Sequence, residues 1–112
     1  MAYQMNAVTL HQEIRVDELD RSEHMSLHVV QIRSRESLHV HQRHDLIARL
    51  EYSHGTLVLG SRRLHLAAGG VVMIPRGVPH AFLNEGRQPA VALVVFSPPF
   101  DGTDSQPVLD SP

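Results

Sequence analysis

Between Ser26 and Phe96 the apolar positions fall in short runs of Val, Leu and Ile, broken by Gly, Pro, Ser or Asn. Runs of this length and punctuation predict strands, not helices. The pattern places strands near Ser26–Arg33, Ser37–His41, Asp45–Glu51, Thr56–Leu59, Arg63–Leu66, Val71–Ile74, His80–Leu83 and Ala90–Phe96. In GTLVLGSRRLHL, Leu57 and Leu59 alternate with Thr56 and Val58, and Gly60-Ser61 suits a two-residue hairpin loop. No interval between strands carries the 3.6-residue period of a crossover helix, so the strands should pair antiparallel. The expected class is all-β, closed as a barrel or sandwich.

The flanks read differently. Over Val8–Asp20 the alternation in VTLHQEI favours an N-terminal strand, with a short helix around VDELDR as the alternative. After Phe96, SPPFDGTDSQPVLDSP is rich in Pro, Asp and Ser, which predicts an extended, flexible tail. A chain of 112 residues is the size of one domain. It divides as an N-terminal strand or arm (1–25), a barrel (26–100) and a tail (101–112).

Composition narrows the chemistry. A formal charge of −2 and an aromatic content of 4% supply neither the field for phosphate backbones nor platforms for bases, which argues against a nucleic-acid partner. The chain has no cysteine, so imidazole and carboxylate are the side chains left to hold a metal, and nothing calls for an oxidising compartment. The N-terminal residues lack a signal-peptide pattern and no run is long and apolar enough for a membrane span, so a cytoplasmic protein without membrane contact is expected. The excess is in histidine, with nine residues.

Three histidines are spaced as ligands. In LHVHQRHD, His39 and His41 are two apart, so on a strand they point to one face, about 7 Å apart. His80 follows IPRGVP, where Pro75 restricts φ and Gly77 permits positive φ. If the two strands are neighbours, three imidazoles converge, a donor set suited to Zn, Fe, Ni or Cu and not to Ca or Mg. An HxH pair alone would ordinarily sit in water. His11, His24, His28, His54 and His65 share no spacing with the site and read as surface or partly buried side chains.

The stretch GGVVMIPRGVPHAFLN resembles the second cupin motif at every fixed position: Gly69, five residues, Pro75, one, Gly77, two, His80, three, Asn84. The first cupin motif is met in part, by His39 and His41. Arg33 stands at its leading glycine, Asp45 or Leu46 at its glutamate, and Tyr52 or Ser53 at its closing glycine. The resemblance implies a jelly-roll barrel with one divalent transition metal ion (Fe, Mn, Ni or Zn) held by His39, His41, His80 and a fourth ligand. On the strand after HxH, His44, Leu46, Ala48 and Leu50 share the apolar face and Asp45, Ile47, Arg49 and Glu51 the charged one. This favours an inward His44 as the fourth ligand, with Asp45 as the alternative or as an outer acceptor. Arg76 reads as a solvated loop residue, and Asn84 as a side chain that fixes a turn.

Three or four protein ligands on an octahedral ion leave positions open for substrate, water or dioxygen. The resemblance therefore implies a non-haem metal-dependent, dioxygenase-like enzyme, its small-molecule substrate in a pocket lined by residues such as Leu46, Ala48, Leu50, Ile74 and Phe82. A metal-dependent isomerase or cyclase, a binding or sensing module without turnover, and a purely structural metal are the alternatives. A homodimer is expected, with a strand such as Val8–Ile14 added to a neighbour's sheet edge.

Overall fold

A computed structural model describes residues 13–109. Ten strands follow one another: β1 (Ile14–Arg21), β2 (Ser26–Ile32), β3 (His39–Val40), β4 (Asp45–Tyr52), β5 (His54–Leu59), β6 (Arg62–Ala67), β7 (Val71–Ile74), β8 (His80–Asn84), β9 (Ala90–Ser97) and β10 (Gln106–Pro107). They form two five-stranded sheets of order β1-β2-β9-β4-β7 and β10-β3-β8-β5-β6, all pairs antiparallel. This is the all-β jelly-roll expected from the strand punctuation, and no helix occurs among the described residues.

Alternation on β4 shows how the sheets close. Leu46 and Leu50 are buried and Ile47 and Arg49 exposed, because successive side chains of a strand leave opposite faces. The inward set meets Ile32, Leu57, Ile74, Phe82, Val94 and Phe96 in one core between the sheets. The hairpin expected at Gly60-Ser61 is present: Leu59 pairs with Arg62, and Gly60 takes the positive φ (59°) that such a loop requires.

At the N-terminus, VDELDR lies in strand β1, which pairs with β2 of its own chain, so the helical alternative does not hold. Of the proposed exchanging strand Val8–Ile14, residues 8–12 lie outside the described residues. The C-terminal segment is extended, as its composition predicts, but over 101–107 it is anchored and not loose. Asp104 is fully buried, and Gln106 and Pro107 pair with Val40 and His39. Proline and serine prevent long ladders, but buried side-chain hydrogen bonds hold the segment instead.

Candidate metal centre

β3 and β8 bring the three histidines together. His39 and His80 are direct cross-strand partners, and His41 follows two residues after His39. One ligand nitrogen of each lies within 4.8 Å of the other two. Ring centroids are 4.2 Å apart for His39–His80, 5.1 Å for His39–His41 and 5.2 Å for His41–His80. The Pro75–His80 turn sets the third ring: Gly77 adopts φ 80° and donates its N–H to the carbonyl of His41 at 2.8 Å. The motif-two turn is thereby tied to the motif-one strand.

Each imidazole is oriented in the same way. Nδ1–H of His39 donates to the Ser37 carbonyl (2.8 Å), that of His80 to the Val78 carbonyl (3.0 Å), and that of His41 to the Asp104 carbonyl. A carbonyl accepts only, so each Nδ1 carries a proton, and in the neutral ring Nε2 is then the nitrogen with the lone pair. Burial pushes His80 down to about 4 and His41 below its ordinary value, which keeps both rings neutral. Clustered, similarly oriented imidazoles fit a divalent transition metal.

The fourth position differs from the sequence expectation. His44 is inward and buried, as the β4 alternation predicts, but it does not join the cluster. Its Nδ1 lies 2.6 Å from the Asp104 carboxylate and its Nε2 3.1 Å from the Pro99 carbonyl, so both ring nitrogens face acceptors of the C-terminal segment and neither faces the cluster. Asp45 faces outward, where its carboxylate accepts from the backbone and guanidinium of Arg76 at 2.9 and 3.0 Å. Asn84 fixes a turn: its Nδ2 donates to the carbonyls of Arg33 and Gln88, and its Oδ1 accepts from Ser53.

A carboxylate beside the cluster is Glu36, which the first cupin motif does not cover because it precedes HxH. Its Oε2 lies 3.8 Å from Nε2 of His39 and its Oε1 accepts the Phe82 N–H at 3.1 Å. Burial pushes its carboxyl up, against the opposing pull of His39 and the Phe82 N–H. A carboxylate three residues before HxH was the available signal, and only the fold shows that it turns toward the rings. For Asp104 the sequence carries no signal.

The cluster opens onto a cavity of about 460 Å³ between the sheets. Leu46, Ala48, Leu50, Ile74 and Phe82, the pocket residues expected from the sequence, all line it. Among the described residues its polar lining is the three histidines, Glu36, Ser37 and Ser105, with no Lys or Arg.

The cupin-domain family model matches residues 26–96, from β2 through β9. The chain belongs to the cupin family. An uncharacterized protein of Aquifex aeolicus (strain VF5) is 34% identical to this cupin over 94 residues, covering 84% of this chain and 77% of that one. Among solved structures, the Thermus thermophilus protein TT1209 superposes with a TM-score of 0.71 at 26% identity, covering 79% of this chain and 86% of that one. Lactobacillus farciminis oxalate decarboxylase, solved as a formate complex, superposes with a TM-score of 0.76 at 20% identity, over 89% of this cupin but 32% of the decarboxylase. That likeness concerns the fold, since one barrel hosts many chemistries.

Proposed function

We propose that this cupin is a non-haem metal-dependent enzyme, dioxygenase-like, acting on a small and largely apolar molecule. The observation that carries the reading is the common orientation of the three ligand rings: backbone carbonyls hold every Nδ1, which leaves three Nε2 atoms for one ion beside an apolar cavity. When bound, the ion supplies Lewis-acid or redox activation at sites the protein does not fill. The residues of the chain supply the rest. His39, His41 and His80 would hold the ion, and Leu46, Ala48, Leu50, Ile74 and Phe82 would exclude water and bind an apolar body. With no Lys or Arg among the described residues of the wall, the cavity favours a neutral ligand over a polyanionic one.

A second reading is favoured by Glu36. A partly buried carboxyl 3.8 Å from a ligand imidazole is placed to hold or move a proton, as a metal-dependent isomerase or cyclase requires. The experiment is elemental analysis of freshly isolated protein, then anaerobic loading with Fe(II) and oxygen-electrode assays with diketones, thiols and phenols. Oxygen uptake with one of these supports the oxygenase. Proton exchange of a ligand in D₂O without oxygen uptake supports the second reading, and ligand-induced thermal shifts without turnover indicate a binding module. A homodimer is proposed alongside, since among the described residues β7 pairs on one side only and Ile47, Val71 and Met73 are exposed; light scattering on a sizing column tests it.

A further inference from the structure

After β9 the chain turns back over the end of the barrel that carries the histidines, and three sets of contacts hold it there. Phe100 stacks on Phe96 with centroids 4.4 Å apart, and both rings stand edge-on to His41. Gln106 and Pro107 pair with β3, and the Val108 N–H donates to the Leu38 carbonyl at 3.0 Å. Between these lies Asp104, fully buried, whose carboxylate accepts from the Gln42 N–H (3.1 Å), the Arg43 N–H (2.7 Å) and Nδ1–H of His44 (2.6 Å). The carbonyl of the same residue accepts Nδ1–H of His41.

We propose that Asp104 is a positioning residue of the metal centre that acts through His41. Its carboxylate pins the 101–107 segment to the Gln42–His44 turn, and the pinned backbone presents the carbonyl that fixes the His41 tautomer and turns Nε2 toward the ion. The proposal rests on the metal-binding reading of the triad. Side chain and carbonyl belong to one residue, so anything that releases the carboxylate also withdraws the acceptor from His41. His39 and His80 are different. Their acceptors, Ser37 and Val78, are two residues away on the same local segment, so a loosened C-terminal segment leaves those rings oriented. Of the three rings, His41 takes its Nδ1 acceptor from a distant stretch of chain, whereas His39 meets that stretch through its backbone, as the partner of Pro107. The partner of His41 is charge-anchored and dry, the setting in which such hydrogen bonds hold best.

The test uses the full chain as wild type, Asp104→Ala and Asp104→Asn. Zn(II) affinity is read by competition with a chromophoric chelator, the His41 tautomer by side-chain ¹⁵N NMR of the metal-free protein, and folding by thermal melting. For Asp104→Ala, Zn(II) binding about 10- to 100-fold weaker is expected, the usual consequence of losing an outer partner of a ligand histidine. The His41 signal should pass from a single Nδ1–H tautomer to a mixture. Asp104→Asn keeps an oxygen for the Arg43 N–H and should recover much of the loss without reaching wild type. A lowered melting temperature with wild-type affinity and an unchanged His41 signal overturns the proposal, as it marks a purely structural anchor. Should Asp104→Ala not fold, wild-type values for both readouts in Asp104→Asn overturn it equally. If the wild type binds no Zn(II), the metal reading fails by itself, and the His41 tautomer in the metal-free variants still decides the role of Asp104.

Discussion

His39 and His80 lie far apart in the chain, yet they stand opposite one another as cross-strand partners of β3 and β8, with ring centroids 4.2 Å apart. That pairing turns an HxH strand and a Pro-Gly turn into one donor cluster. His65, by contrast, lies on β6 at the far edge of the same sheet, exposed beside Glu85. His80→Ala is therefore expected to lose bound metal, whereas His65→Ala retains it, as measured by elemental analysis after gel filtration. Equal metal content in the two variants would contradict the assignment.

The metal-free protein should lose stability on mild acidification. Burial lowers His80 from its ordinary 6.5 to about 4, so the unfolded chain takes up this proton at a higher pH than the folded one. The contribution is complete above about pH 6.5, falls as the pH drops through that window, and changes no further below about 4. A shift of this size corresponds to about 3 kcal/mol. His41, lowered by burial as well, acts in the same direction. Melting curves in chelator between about pH 4 and 7.5 should show the slope, and His80→Gln should flatten it. An unchanged slope in that variant would remove His80 as its source.

Glu36 should act with the opposite sign. Burial raises its carboxyl above the ordinary value, so the folded state favours the protonated form and stability is lost as the pH rises from the unfolded value toward the folded one. Glu36→Gln preserves an acceptor for the Phe82 N–H and removes the buried charge. The metal-free variant is expected to melt higher than wild type at about pH 8 and equal to it at about pH 4. A variant that melts lower at the alkaline end would show instead that the charge stabilises the fold through His39.

Gly55 marks a point where the barrel tolerates no side chain. A Cβ there would overlap the Leu83 carbonyl and lie 2.7 Å from Cζ of Phe82, because β5 and β8 pair tightly at this position. Gly55→Ala should destabilise by roughly 1–3 kcal/mol, the usual range for overpacking. Urea denaturation measures this. A loss below about 0.5 kcal/mol, the range of neutral surface changes, would mean that β8 shifts freely.

Much of the barrel was legible in local pattern. Alternation on β4 identified Leu46, Ala48 and Leu50 as inward, and Gly60-Ser61 identified the β5–β6 loop, because both depend on residues adjacent in the chain. The spacing from Gly69 to Asn84 likewise marked the turn that orients His80. His44 shows where such reasoning stops. Alternation placed the ring inside correctly, but whether it met a metal or a carboxylate depended on what lay across from it.

Strand positions from β2 to β9, the antiparallel class and the common face of His39 and His41 were determined by the sequence alone, since a period of two and a tight turn are properties of neighbouring residues, whereas the meeting of His80 with them waited on the β3–β8 pairing. Only the tertiary structure decided that the C-terminal segment is held over the barrel, that Asp104 takes His44 for itself and lends its carbonyl to His41, and that Glu36 is the carboxylate beside the rings. Those are contacts between segments distant in sequence. The hydrogen bonds that reward such contacts exist only once the sheets have closed, and composition in the tail carries no trace of the partner it will find.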